Sequence, residues 1–181
     1  MRKIFTLFII LVTAISFFTS CRSAPSPVPE TPVPITEPPK ELPPFDPHAF
    51  EIRVFELTNR ERAVFRLPPL IWHEAAAIVA REHSVDMHHN NFMGHTGSDG
   101  LGIRQRLERG CIKNLSTWSA SIAGGYPTPE AVVAAWMESP RYRGNILSRE
   151  FTHIGVGFFE RPAGSNANFA TYWTKKFLSL D

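Results

Sequence analysis

The side chains in this 181-residue chain that are able to do chemistry are its seven histidines, its two cysteines and a scatter of acids and hydroxyls. Imidazole nitrogens and carboxylate oxygens together suit zinc or a similar divalent ion, and a catalytic zinc needs about three such ligands plus a water. His83 sits on the apolar stripe of a predicted helix and reads as a core histidine with a hydrogen-bond partner. His88 and His89 fall at the end of that helix, where imidazolium suits the dipole, and read as solvated. His95 lies in a glycine-punctuated loop, Phe92 to Gly100. Ser119 and Ser121 occupy a strand-like segment with no base beside them. The chain has neither a Gly-Xaa-Ser-Xaa-Gly elbow nor a His-Glu-Xaa-Xaa-His helix, so the ordinary serine-hydrolase and zinc-protease signatures are missing.

The first cysteine belongs to a leader. Met1-Arg2-Lys3 is basic, Ile4 to Phe18 is almost wholly apolar, and Thr19-Ser20-Cys21 supplies small residues ending in a thiol. The apolar run is short and has no stop-transfer pattern, which fits a secretory signal rather than a spanning helix. It resembles a bacterial lipoprotein signal, cleaved before Cys21 with that thiol diacylated, although Phe18 stands where such signals prefer Leu. An ordinary signal peptide with a stray cysteine is the alternative. Acyl chains on Cys21 would anchor the protein firmly, at about 0.8 kcal/mol per buried methylene. Cys111 then has no disulfide partner and reads as a small buried apolar residue.

Removing residues 1–20 takes away Arg2 and Lys3 and no acids, so a formal charge of +2 becomes 0. That balance gives no support for nucleic-acid binding or for a polybasic membrane contact. Residues 22–47 hold ten of the sixteen prolines. Such a stretch favours polyproline II and reaches roughly 80 Å at about 3.1 Å per residue. The expected organisation is a signal over residues 1–20, a lipidated cysteine and proline-rich linker over 21–47, and one folded domain over 48–181.

The elements that must position the candidates follow from pattern. Asp46-Pro47 opens a helix carrying Phe50, Val54, Leu57, Val64 and Phe65 to about Arg66. Leu67-Pro68-Pro69-Leu70 turns into a second helix, about His73 to His88, with Ala76, Val79, Ala80, His83 and Met87 inward. A short helix spans Leu101 to Arg109, and Asn114 to Ala123 reads as a strand. Thr128-Pro129-Glu130 starts a helix whose Val132, Val133 and Trp136 share a buried face. Ser139-Pro140 breaks it and caps a shorter one ending near Leu147. Thr152 to Glu160 and Asn168 to Phe177 are two closing strands. In the first, Gly155 and Gly157 suggest close packing from above. In the second, Phe169, Thr171, Trp173 and Phe177 share a face.

In order, these residues resemble the CAP superfamily, the SCP-like extracellular domain of cysteine-rich secretory and plant pathogenesis-related proteins. Leu57-Thr58-Asn59-Arg60-Glu61-Arg62 is similar to its Leu-Xaa-Asn-Xaa-Xaa-Arg motif, and Leu67 to Trp72 and His83 to Met87 match the second helix and the turn before it. Phe92 to Gly100 is similar to its His-Thr-Gly loop. Ala135 to Leu147 resembles the bacterial Ala-Trp-Met-Xaa-Ser-Pro-Xaa-His-Arg-Xaa-Asn-Ile-Leu. Ile154-Gly155-Val156-Gly157 and Tyr172-Trp173-Thr174 resemble the closing strands. The resemblance covers about residues 50–178 and implies an α+β fold, a three-layer α-β-α sandwich with a small central antiparallel sheet.

The same resemblance implies a cleft in which relatives gather two histidines and acids able to hold a metal. Here His95 keeps the first histidine. Ala120 and Ser121 stand in place of the Glu and Asn of Gly-Glu-Asn-Ile-Ala, and Tyr142 replaces the second histidine. A methyl cannot ligate, and a phenol with an unperturbed pKa near 10 is a poor zinc ligand. Glu138, and His153 where relatives often carry Glu, are the candidates for a displaced site with His95. The expectation is a degenerate cleft with no cofactor, zinc being the weak alternative through His95. His95, Tyr142, Ser121, Glu138 and His153 are its candidate ligand contacts. The expected function is a non-enzymatic, lipid-anchored module of the cell envelope, facing periplasm or exterior. It would bind a lipid, glycan or protein, and no nucleic acid. A hydrolase acting on envelope or host substrates is the alternative.

Overall fold

The structure, a computed structural model, describes residues 46–181. The signal, Cys21 and nearly all of the linker lie outside the described residues. The elements are α1 (Pro47–Val64), β1 (Ile71–Trp72), α2 (Glu74–His89), α3 (Ile103–Arg109), β2 (Leu115–Gly124), α4 (Pro129–Glu138), α5 (Pro140–Leu147), β3 (His153–Glu160) and β4 (Thr171–Leu180). Asp46 caps α1 by accepting the His48 N–H, and Thr128 caps α4 by accepting that of Ala131, as their types predict.

The sheet has the order β1-β3-β4-β2. β3–β4 and β4–β2 are antiparallel, but β1 runs parallel to β3, so the sheet is mixed rather than purely antiparallel. The two-residue β1 has a local cause. Pro68-Pro69 forbids helix, and the Asn59 side chain takes both the N–H and the carbonyl of Leu70 at 2.8 and 3.0 Å. The extended chain beyond it then bonds Thr152 and Ile154 through the N–H groups of Ile71 and His73, each at 2.9 Å.

Each face of the sheet carries its own helices. On one face Val54 of α1, Val132, Val133 and Trp136 of α4 and Ile146 of α5 pack on Ile154, Val156, Phe158, Trp173 and Phe177. On the other, α2 and α3 bring Ala76, Val79 and Leu107 onto Leu178, and Met87 onto Ile122 and Tyr172. Two inward faces make β4 almost wholly buried, which gives the three layers. Gly155 and Gly157 let α2 lie against β3. A Cβ on either would stand 2.2 Å from the backbone nitrogen of Ala77 or 2.1 Å from that of Arg81.

Four expectations fail for physical reasons. β4 begins at Thr171, because Arg161 N–H to Ala170 carbonyl closes the preceding turn. Phe169 therefore falls outside the strand and packs with Tyr172, opposite Trp173. Val64 and Phe65 end α1 on the solvent side. Cys111 is exposed, with φ of 61° in the left-handed residue that ends α3. His88 is buried, wedged between Phe159 and Tyr172 and hydrogen-bonded to Ser165.

Candidate functional site

The loop bearing His95 is held from beneath. His83 is fully buried and donates Nε2–H to the Gly94 carbonyl at 2.9 Å. Burial, then the charges of Lys176 and Arg106, push its pKa down to about 3, so the ring is neutral. Asp86 receives the Ser98 N–H at 3.1 Å and the Arg106 guanidinium at 2.6 Å. Burial alone would raise the Asp86 pKa, but these bonds carry it down to about 2. Gly97 leaves the passage through which Arg106 reaches, since a Cβ there would stand 1.3 Å from Nη2.

From the other side α5 brings Tyr142, and the His95 and Tyr142 rings meet edge to face at 6.2 Å. This is the pairing that the sequence suggested. Both His95 ring nitrogens are buried without a hydrogen-bond partner. Burial, with Arg141 and Lys176 adding repulsion, lowers its pKa and keeps the imidazole neutral. A cleft of about 280 Å³ opens beside Tyr142. Ile122, Ala123, Gly124, Tyr126, Ala135, Trp136 and Ser139 form the rest of its wall. His95 touches Tyr142 but does not line this cleft. The wall is apolar and aromatic, with hydroxyls and no carboxylate.

The other candidates are elsewhere. Ser121 is buried and accepts from Asn145 Nδ2 at 3.4 Å; the same amide donates to the Ala120 carbonyl and accepts from Ser119 Oγ. Ser121 therefore helps to fix α5 on the edge strand β2. Glu138 is exposed at the end of α4 and, among the described residues, forms no ion pair. His153 starts β3, bonds Thr152 and lies edge to face with His73 at 5.8 Å. His95, Glu138 and His153 are not brought together, and among the described residues no three His, Cys, Asp or Glu side chains are grouped to hold a metal ion. Tyr126 and Ser139 are wall residues that the sequence reading missed. The glycine pair before Tyr126 was the signal that could have found them, because small residues open space beside an aromatic.

Ala120 faces the α2 layer directly opposite Lys176 in the register. Lys176 is buried and its Nζ has no partner, and burial followed by Arg106 lowers its pKa to about 7. Its neighbour Lys175 points to the other face, where Nζ lies 4.1 Å from the Trp136 ring centroid and 3.5 Å from Thr58 Oγ1.

A three-layer sandwich of this order, with a histidine loop meeting a short helix over the edge strand, defines an SCP-type domain. The chain belongs to the CAP family, the cysteine-rich secretory protein family, which matches residues 55–177. Among curated relatives, the uncharacterized protein YkwD of Bacillus subtilis (strain 168) is 40% identical over 123 residues, 68% of this chain and 44% of that protein. An extracellular protein of Bacillus anthracis containing an SCP domain is 29% identical with a TM-score of 0.65, over 72% of this chain and 40% of that one. An outer surface protein of Borrelia burgdorferi shares the fold at 18% identity, with a TM-score of 0.67 over 76% of this chain and 97% of its own. The match spans less than half the length of the Bacillus subtilis relative.

Proposed function

We propose that this protein is an extracytoplasmic binding module, tethered to a membrane through Cys21. Its Tyr142 cleft would take a lipid, glycan or protein segment without metal or catalysis. The observation that carries the reading is the wall itself: Tyr126, Trp136 and Tyr142 around small side chains, with Ser139 as a polar contact and no carboxylate. Aromatic faces with a few hydroxyls bind rings and chains by stacking and hydrogen bonds. Placement outside the cytoplasm rests on the leader and on the extracellular and outer-surface relatives.

The test is a nuclear magnetic resonance titration of the full chain with palmitate and, separately, with an N-acetylglucosamine trimer. Binding should shift Gly124, Tyr126, Ser139 and Tyr142 for one probe, and Tyr142→Ala should weaken it by about three- to tenfold. Shifts confined to other surfaces, or a Tyr142→Ala variant that binds as the parent does, would remove the cleft from the account. Turnover of either probe would favour the hydrolase reading.

A further inference from the structure

The folded domain, residues 48–181, carries a small excess of basic over acidic side chains, and part of it is gathered in one place. Val64 and Phe65 end α1 with 73% and 43% of their surface exposed, and Pro68 and Pro69 beside them are exposed as well. Arg143 of α5 lies over the Phe65 ring, its guanidinium 5.2 Å from the centroid. Arg66 follows Phe65 directly, turned outward by a φ of 54°. Arg149 stands near enough to repel Arg62, which is buried and bonds the carbonyls of Pro68, Ile146 and Ser148. Arg62 thus binds the end of α1 to the end of α5 and brings Arg66, Arg143 and Arg149 around one apolar knob. All three are exposed, and among the described residues none of them has an ion-pair partner. Of the other arginines, Arg53, Arg81, Arg104, Arg106 and Arg109 meet carboxylates, whereas Arg60, Arg141 and Arg161, like the three of this corner, have no ion pair among the described residues.

From this arrangement we infer that the α1–α5 corner is a docking face for an anionic lipid bilayer. Exposed aliphatic and aromatic side chains ringed by unpaired guanidinium groups match the two layers of such a surface. Val64 and Phe65 enter the acyl boundary while Arg66, Arg143 and Arg149 meet phosphate oxygens, which guanidinium binds bidentately. A protein partner would need a complementary acidic rim, whereas a bilayer supplies phosphate at any orientation around the knob. The tether proposed at Cys21 would hold the domain beside such a surface. The face stands on the exposed residues themselves and does not depend on what the cleft binds.

The experiment is flotation of the full chain with vesicles of phosphatidylcholine alone and of phosphatidylcholine with phosphatidylglycerol. Residues 1–45 are the same in every variant, so their contribution cancels. Binding should be stronger on the anionic vesicles and weaken with salt. Arg143→Glu with Arg149→Glu should remove that preference, about fivefold for each arginine lost. Val64→Asp with Phe65→Asp should weaken binding to both vesicle types. Arg104→Glu with Lys113→Glu, which makes the same change of charge on another surface, should leave the preference intact. Equal binding of the parent chain to both vesicles would overturn the inference, as would equal loss in the control pair. Self-association abolished by Val64→Asp with Phe65→Asp would assign the face to a second copy instead. All the substituted positions are exposed, and thermal unfolding of each variant checks that the fold is kept.

Discussion

Three groups, His83 and Lys176 buried and Asp86 half-buried, carry testable electrostatics at the scale of single residues. The unfolded chain binds a proton at His83 near pH 6.5, the native chain only near pH 3. Stability should therefore fall as pH drops through that interval, by at most about 1.4 kcal/mol per pH unit. In His83→Gln, whose amide keeps a donor for the Gly94 carbonyl, that slope should vanish from thermal unfolding curves. Asp86 works lower down: its folded pKa of about 2 lies below the usual 3.8, so its contribution is present above 3.8 and lost toward pH 2. Acid should thus release the His95 loop in two stages. Lys176 is a burial without compensation, because its Nζ has no partner and its pKa is lowered to about 7. Lys176→Met should raise stability at pH 7 by about 1–3 kcal/mol, read from urea midpoints. Nothing local foretells this burial, since Thr174-Lys175-Lys176 reads as a solvated pair until strand register buries one lysine on each face. His95 and Tyr142, by contrast, were legible as a pair from the motifs that carry them.

Between elements, two kinds of contact set the site, and the sequence disclosed them unequally. The Gly155 and Gly157 spacing announced that something packs closely on β3, and α2 does so through backbone atoms. Gly157→Ala should cost about 3 kcal/mol or more in urea unfolding, because the obstructing atoms are the Ala80–Arg81 peptide rather than a yielding side chain. The Asn145 contacts were not legible. Its amide spans Ser119, Ala120 and Ser121 across 24 to 26 residues of sequence, and no local pattern encodes which strand a helix will meet. Asn145→Ala should cost about 1–3 kcal/mol and increase amide exchange in α5, weakening any ligand held by Tyr142. β1 was missed for a related reason. Two residues are too few for a periodic signal, and their pairing depends on Asn59 capturing Leu70 from another element. The end of α1 was misjudged because Val64 and Phe65 suit a core in type, while the face they occupy points away from the sheet.

At the scale of the whole molecule, the chain has the architecture of the CAP family, and its metal chemistry is a matter of proposal. Helix caps, the Pro-Pro corner and the alternation in β3 announced the elements, and the resemblance to the CAP superfamily implied the sandwich they form. What the cleft binds could not be read from the chain, because its wall is drawn from β2, α4 and α5 together and their convergence is tertiary. The central claim is that the His95–Tyr142 region has kept the scaffold of a CAP cleft and lost the ligand set for a divalent ion. Calorimetric titration of zinc into the metal-stripped full chain, beside His95→Ala, tests it most directly. The account expects no binding that depends on His95, with both proteins giving the same weak heats. One equivalent of zinc bound by the parent chain and lost in His95→Ala would contradict it.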